Sequence, residues 1–291
     1  MEFFTRQPRS CEMPVLRQIW QTVFGEDDIS ADIFFSHYFD PELCVVADHA
    51  GVPAAAGYLF PAGKLVCGGQ EHGIQCAMIY ALATLPEYRG HGFGSAISRE
   101  LIRAGHEKGI HAVVLHPSSD SLFEYYSSRT SLRDCFYVCE QKFSVAPSGK
   151  PSKLSEIDAE QYAALRKKLL ADIPHIEMNL SALNYQQMLC RRLGGGLFAI
   201  DIPDGPACAT VETSLGGTVW IKELLTPVGS EALAISSIAA AYPAKEYIVR
   251  TPACRGDADS VAVRFGMLAA FAEVPGIRDG NSAPWYGLAF D

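Results

Sequence analysis

The chain has 291 residues, of which 48% are hydrophobic, and a formal net charge of -9. This length is sufficient for two domains with substantial cores, and the hydrophobic content favours a globular chain over a disordered one. The negative charge argues against a nucleic-acid partner, and the lack of an apolar run of about 18 residues argues against a membrane span.

Two helices are predicted near the start of the chain. Apolar residues recur at intervals of three and four between Val15 and Phe24, and Gly25 follows as a stop signal. The acidic and aromatic segment 26–42 predicts a second helix that ends before Pro41. The aromatic residues of this segment are candidates for the core or for the wall of a binding pocket: Phe34, Phe35, Tyr38 and Phe39.

A strand-rich region follows the two helices. Turn signals separate three strand-like runs, which predicts an antiparallel meander over residues 43–48, 54–61 and 74–84. The next helix has its apolar residues on one face, at Phe93, Ile97, Leu101 and Ala104. Beyond it we expect a buried strand of the parallel type at 110–117, a short helix at 118–128 and a strand at 134–143.

The second half repeats this order in outline. Residues 144–153, rich in Pro, Gly, Ser and Lys, form the best linker candidate. Two helices, a meander, a crossover helix and a strand follow, at 158–171, 181–193, 197–202, 207–213, 218–225, 230–242 and 246–251. We therefore predict two domains, at residues 1–145 and 154–291.

Cysteine usage and the N-terminal residues indicate the compartment. Nine cysteines are scattered without the dense pairing of a secreted scaffold, which predicts free thiols in a reducing cytoplasm. The first ten residues contain no basic segment followed by an apolar core, so no signal peptide is predicted. Cys135 and Cys139 have a metal-like spacing but no matching second pair, and no metal site is expected.

The segment LPEYRGHGFGSAI, residues 85–97, is the strongest candidate for a ligand site. It joins a strand-like run to a helix-like run, where α/β proteins place phosphate groups. Glycines let backbone N–H groups approach phosphate oxygens, and Arg89 adds a cation. The loop lacks the Gly-Lys-Ser/Thr of a Walker A motif, and Ser95 stands where a dinucleotide fingerprint needs Gly or Ala.

The hexapeptide Arg89-Gly90-His91-Gly92-Phe93-Gly94 matches the pattern Arg/Gln-x-x-Gly-x-Gly/Ala. With the preceding Pro-Glu-Tyr, it resembles the pyrophosphate loop of the GCN5-related N-acetyltransferases (GNAT), and the likeness covers roughly residues 10–143. The resemblance implies an α/β fold with a mixed sheet, the acyl-CoA N-acyltransferase fold. The two-part layout resembles the tandem subgroup that contains the enhanced-intracellular-survival aminoglycoside acetyltransferases.

The resemblance also implies a donor and the residues that hold it. Acetyl-CoA would be the co-substrate, and no metal would be required. Its pyrophosphate would lie against Arg89, Gly90, His91, Gly92, Phe93, Gly94 and Ser95. Its pantetheine arm would bind backbone groups of Leu82, Ala83 and Thr84, in a slot where strand 74–84 splays from strand 111–116.

Acetyl transfer to an amine needs a proton donor for the leaving thiolate and a route by which the amine loses its proton. In the family, a tyrosine on the short helix after the second core strand is often the acid, and Tyr126 in SLFEYYSSR is the matching position. Tyr125 is its neighbour and faces another way on a helix. Thr130 and Ser131 replace the family's Gly-Phe, which leaves the register of this helix, and the choice between the two tyrosines, open.

The general base is not fixed by the sequence, because strand 74–84 contains no acid. A relay of water molecules would need no single base. The candidate side chains are Glu26, Asp27, Asp28, Asp32, Glu71, His72, Tyr80, His116 and the C-terminal Asp291.

The second half contains a different loop at the equivalent place, LLTPVGSEALAIS, with one glycine, no arginine and Pro227, which lacks an N–H. We therefore expect a second GNAT-like domain that lacks the CoA loop and either covers the acceptor side or forms an oligomer interface.

The acceptor is expected to be a primary amine of a small molecule, and the acidic segment 26–32 could attract a cationic one. Two other functions stay open, a non-catalytic CoA-binding regulatory module and a peptide or protein N-acetyltransferase. The sequence is compatible with a monomer and with a homo-oligomer.

Overall fold

The computed structural model describes residues 2–25, 28–67, 73–144, 150–214, 216–255, 261–271 and 284–291. The chain divides into two units, each assembled from separate segments. Unit 1 comprises Met1–Ala62, Ile74–Asp134 and Gly266–Glu273, and unit 2 comprises Gly63–Gly73, Cys135–Phe265 and Val274–Asp291. The division into domains at residues 1–145 and 154–291 stays a prediction.

Unit 1 is a mixed sheet with helices. Its helices are α1 (Met13–Phe24), α2 (Asp28–His37), α3 (Phe93–Glu107) and α4 (Asp120–Arg129). Its strands are β1 (Phe4–Arg6), β2 (Cys44–His49), β3 (Val52–Val66, to residue 62), β4 (Ile74–Thr84), β5 (Ala112–Leu115) and β13 (Ala262–Ala270, from residue 266). They lie in the order β1-β2-β3-β4-β5-β13, and β4 pairs with β5 in parallel. The predicted helices and strands of this half are confirmed within a few residues.

The core of unit 1 explains why these segments fold as they do. Phe93, Ile97 and Leu101, three of the predicted apolar residues of α3, are buried against the sheet. At the end of α1, Gly25 adopts a left-handed conformation with φ of +64° and donates its N–H to the carbonyl of Gln21. A glycine at this position closes the helix without the strain that a Cβ would add.

Unit 2 has the same kind of architecture. Its helices are α5 (Ala159–Leu169), α6 (Leu180–Arg192) and α7 (Glu231–Ala241). Its strands are β6 (Arg133–Phe143, from residue 135), β7 (Lys153–Glu156), β8 (His175–Met178), β9 (Gly196–Ile202), β10 (Gly205–Thr213), β11 (Thr218–Leu225) and β12 (Glu246–Pro252). The sheet order is β6-β12-β11-β10-β9-β7, with β11 and β12 parallel, while β8 pairs with residues 63–66 of β3.

A buried ion pair lies at the centre of unit 2. Nε of Arg166 donates to Oε1 of Glu223 at 2.9 Å, and the side chains of the two residues are 3% and 0% exposed. Tyr162 donates its hydroxyl to the same carboxylate at 2.9 Å, and the indole N–H of Trp285 donates to it as well. Helix α5, which supplies Arg166 and Tyr162, and the C-terminal segment, which supplies Trp285, are therefore both bound to one carboxylate of β11.

His175 in β8 makes unit 2 sensitive to acid. Its Nδ1 donates to the carbonyl of Ile173 at 2.7 Å, while its Nε2 is buried and has no hydrogen-bond partner within the described part of the chain. Burial, with the nearby positive charge of Arg166, lowers the pKa of His175 to about 4. Protonation therefore favours the unfolded chain, in which the pKa is about 6.5.

We expect the stabilising effect of neutral His175 to be complete above pH 6.5 and to be lost as the pH falls towards 4, with about 2 kcal/mol gone by pH 5. His175→Asn keeps a donor at the position of Nδ1 and does not titrate. Urea unfolding at pH 7 and pH 5 measures the effect, and the wild type should lose about 2 kcal/mol more than the variant between these two values. Equal losses in the two proteins would show that His175 is not the titrating group.

Candidate functional site

The loop before α3 has the backbone conformation that its glycines predict. Gly90 and Gly92 have φ angles of +82° and +86°, in the left-handed region that residues with a Cβ rarely adopt. Gly92 is the N-cap of α3, so the loop leads directly into the positive end of a helix. Phe93, by contrast, is 1% exposed and anchors the helix in the core, while His91 is exposed. The loop is therefore open to a ligand on its backbone side and fixed by one aromatic ring.

Arg89 and Ser95 complete the loop. Nε of Arg89 donates to the carbonyl of Thr84 at 3.2 Å, which holds this exposed side chain beside the end of β4. The hydroxyl of Ser95 donates to the carbonyl of Gly92 at 3.0 Å, while its backbone N–H donates to Oη of Tyr125 at 3.1 Å. A cation, glycine backbone and a helix N-terminus thus meet in a few residues, and this is a combination that binds phosphate groups.

The end of β4 continues beyond its parallel pairing with β5. The parallel register with β5 ends at the pair Met78 and Val114, although β4 continues to Thr84. Ala81 has a φ of +47°, an unusual value for a residue with a Cβ, and it kinks the strand beyond the paired region. Of the three residues predicted to face the pantetheine arm, Ala83 is buried, and Leu82 and Thr84 are half-buried. The kink at Ala81 is a feature that sequence reasoning missed, because alanine carries no signal for it.

The two tyrosines of α4 have different environments. Tyr126 is 7% exposed and packs with Phe123 in the core of unit 1, and burial raises the pKa of its phenol above the ordinary value. Tyr125 is half-buried, and its hydroxyl accepts the N–H of Ser95. The backbone N–H of Thr130 donates to the carbonyl of Tyr126 at 2.9 Å, so Thr130 closes α4 where the family has glycine.

The candidates for the general base are dispersed. Asp32 forms an ion pair with Arg17 on the surface of unit 1. Tyr80 contacts the rings of Trp20 and Phe34, and His116 is half-buried at the end of β5. In unit 2, the side chain of Asp291 accepts a hydrogen bond from Arg250 at 2.6 Å. Asp28 begins α2, while three of the predicted acids and one histidine lie outside the described residues: Glu26, Asp27, Glu71 and His72.

The aromatic residues in and just after α2 divide between the core and half-buried positions. Phe34 and Phe35 are 1% and 7% exposed, and both pack against Trp20 of α1. Tyr38 and Phe39 are half-buried, and Phe39 contacts Phe35 and Tyr58. The first pair therefore belongs to the core, and the second pair retains some exposed ring surface.

The loop before α7 in unit 2 has a different chemistry. The hydroxyl of Ser230, the N-cap of α7, donates to Oδ2 of Asp204 at 2.9 Å. Glu231, the first residue of α7, accepts the hydroxyl of Thr226 at 3.1 Å. Two carboxylates therefore lie at the helix end where a phosphate would bind, and their charge would repel it.

The described residues were searched for a membrane-spanning helix and for a metal-binding group. No helix there is long and apolar enough to cross a membrane. No group of three or more His, Cys, Asp or Glu side chains in the same residues could hold a metal ion.

Comparisons with known proteins identify the architecture. Residues 5–129 match the model of the acetyltransferase (GNAT) domain, so the resemblance inferred from the loop is confirmed. A probable N-acyltransferase from Enterococcus faecalis V583 has a TM-score of 0.67 at 13% identity, over 92% of this chain and 72% of that one. A GCN5-related N-acetyltransferase from Anabaena variabilis has a TM-score of 0.67 at 17% identity, over 92% and 73% of the two chains.

Eis1 from Mycobacterium abscessus is also similar in structure, with a TM-score of 0.60 at 11% identity, over 92% of this chain and 73% of that one. These likenesses confirm the predicted GNAT fold. A search of curated proteins found no match.

Proposed function

We propose that the protein transfers the acetyl group of acetyl-CoA to a primary amine of a small molecule, because residues 5–129 match the model of a GNAT acetyltransferase domain. The observation that carries this proposal is the junction of β4 and α3, where two left-handed glycines lead into a helix N-terminus beside the part of β4 that extends beyond its last parallel pair with β5. Arg89 and the backbone of residues 90–95 would bind the pyrophosphate. Leu82, Ala83 and Thr84 would hold the pantetheine arm.

The proposed reaction is a direct transfer in which no group of the protein becomes acetylated. The neutral amine attacks the thioester carbonyl, a C–N bond forms, and the C–S bond breaks as the tetrahedral intermediate collapses. A backbone N–H near Ala81 would stabilise the oxyanion, since β4 continues there beyond its last parallel pair with β5. The thiolate of CoA leaves and takes a proton from the Tyr126 hydroxyl.

The role of Tyr126 as acid rests on its place in the family's motif. Its phenol is protonated at neutral pH, as an ordinary tyrosine with a pKa of about 10 is, and burial raises that pKa further, which makes the phenol a weaker acid. The oxygen of Tyr125 accepts the N–H of Ser95 and its own hydrogen can still be donated, so Tyr125 is the second candidate for the acid. The amine loses its proton to water or to one of the candidate bases named above.

The acceptor and the second unit complete the proposal. A net charge of -9 would favour the approach of a cationic amine by long-range attraction. We assign residues 154–291 to a degenerate GNAT-like domain with a structural role that lacks the CoA loop, since Asp204 and Glu231 occupy the start of α7. Cytoplasm remains the proposed location, because the scattered cysteines suit a reducing compartment.

The test combines a binding measurement with a rate measurement. Calorimetric titration with acetyl-CoA should give one site per chain, and an amine screen that detects free thiol should find turnover. Tyr126→Phe should lower kcat about tenfold and leave the Kd of acetyl-CoA unchanged. The effect is smaller than the hundredfold typical of general acids, because a thiol with a pKa of about 8.5 is already a good leaving group.

The alternatives predict other results. Acetyl-CoA binding without thiol release from any amine would indicate a regulatory module, and turnover of peptides alone would indicate a peptide N-acetyltransferase. Tyr125→Phe is the matched variant for the rate, since it removes the neighbouring hydroxyl. If Tyr125→Phe showed the tenfold loss of kcat expected for Tyr126→Phe, and Tyr126→Phe showed none, the acid would be Tyr125.

A further inference from the structure

The hydroxyl of Tyr125 lies at the loop that the proposed function assigns to the pyrophosphate. The backbone N–H of Ser95, the third residue of α3, donates to this oxygen at 3.1 Å. A Cβ built on Gly94 would lie 3.6 Å from the same oxygen and 4.0 Å from Cδ2 of Leu82. The hydroxyl therefore occupies the space directly over the glycine backbone at the start of the helix.

The position of Tyr125 follows from what the helix lacks. The first N–H groups of a helix have no partner within it, and the side chain of the N-cap residue usually accepts one of them. The N-cap of α3 is Gly92, which has no side chain and makes no such bond. The phenol oxygen from α4 supplies the missing acceptor.

The ring of Tyr125 is held in this position by its neighbours on α4. The guanidinium carbon of Arg129 lies 4.6 Å from the ring centroid, and the ring of Tyr126 meets that of Tyr125 edge-on at 5.2 Å. These contacts involve the ring and not its oxygen. Removal of the oxygen alone should therefore leave the ring in place.

We infer that Tyr125 caps α3 in the free protein and that the pyrophosphate of acetyl-CoA must displace its hydroxyl from Ser95 in order to bind. The inference rests on the proposed function. A phosphate oxygen is a stronger acceptor than a neutral phenol, so the exchange is favourable, but the bond to Tyr125 must be broken first. Tyr125 is then a positioning residue that lowers cofactor affinity, and Tyr126 keeps its proposed role as acid.

The test is Tyr125→Phe, with Kd measured by calorimetry for CoA and for pantetheine, which has no pyrophosphate. We expect the affinity for CoA to rise about fivefold and that for pantetheine to stay the same, because only the pyrophosphate competes for Ser95. A residue with a merely structural role would weaken binding when it is changed. Tyr88→Phe is the matched control, since it removes the hydroxyl of a ring that packs against Phe93 but precedes the residues assigned to the pyrophosphate, and it should change neither Kd.

Amide hydrogen exchange measured by NMR provides a second readout. The N–H of Ser95 should be protected in the free wild type, exchange faster in free Tyr125→Phe, and be protected in both when CoA is bound. Unchanged or weaker CoA binding by Tyr125→Phe would overturn the inference and leave the proposed function intact. A wild-type protein that binds no CoA would overturn the proposed function and the inference with it.

Discussion

Replacement of Gly94 with glutamate should reduce the affinity for acetyl-CoA at least about 100-fold, or about 2.7 kcal/mol. A side chain at this position extends from α3 towards Oη of Tyr125 and Cδ2 of Leu82, which is the space where the pyrophosphate would meet the pantetheine arm. The carboxylate adds a charge that repels phosphate and accepts the N–H groups that the phosphate would use. The loss should appear in a calorimetric titration.

The free Gly94→Glu variant should be at least as stable as the wild type. Gly94 lies inside α3 and has no positive φ, so a side chain there adds helix propensity, and an acid in the first turn is favourable. Thermal unfolding without ligand checks this expectation. Weak binding by a stable protein would assign the defect to the site and not to folding.

Two further variants separate volume from charge. Gly94→Ala adds a Cβ at ordinary contact distance from Tyr125 and should lower the affinity only slightly. Gly94→Gln has nearly the size of the glutamate without its charge, and its affinity for acetyl-CoA should lie between those of Gly94→Ala and Gly94→Glu. Wild-type affinity in Gly94→Glu would mean that the cofactor does not cross Gly94 and that the glycines form only a turn.

The sequence predicts those parts of the fold whose signals are long or chemically specific. The apolar period of α3 extends over several turns, and Phe93, Ile97 and Leu101 are buried as it requires. The glycines of the loop predict close approach of its backbone to a ligand, and two of them, Gly90 and Gly92, adopt the positive φ that few other residues tolerate. The loop could therefore be located before its geometry was known.

The features missed have weak local signals. Strands β1, β7 and β8 have three or four residues each, too few for an alternating pattern to be recognised, and their pairing is determined by partners distant in the chain. Ala81 adopts its positive φ where β4 extends beyond its last parallel pair with β5, and alanine itself carries no signal for this conformation. The bond from Ser95 to Tyr125 joins residues 30 positions apart, a contact that only the packing of α4 on α3 creates.

The largest expected effect on stability comes from Glu223→Ala in unit 2, which should lower the free energy of unfolding by about 4 kcal/mol. The guanidinium of Arg166 is 3% exposed, and the variant removes its only carboxylate partner among the described ion pairs. The hydroxyl of Tyr162 and the indole N–H of Trp285 lose the same acceptor. A buried charge without a partner costs much more than the ion pair itself contributes. Denaturant unfolding followed by tryptophan fluorescence measures the loss.

The same unit contains a matched control for this effect. Glu177 pairs with Lys167 at 3.7 Å, but the two side chains are 40% and 73% exposed, so Glu177→Ala should cost less than about 0.5 kcal/mol. The double variant Arg166→Leu with Glu223→Leu removes both charges and should recover more than half of the loss, because it leaves no unpaired ion. If Glu223→Ala instead behaved like Glu177→Ala, water would have to reach Arg166, and unit 2 would be looser around Trp285 than its buried ion pair implies. The same conclusion would follow if the double variant lost as much free energy of unfolding as Arg166→Leu and Glu223→Leu lose separately, because the two side chains would then not be coupled.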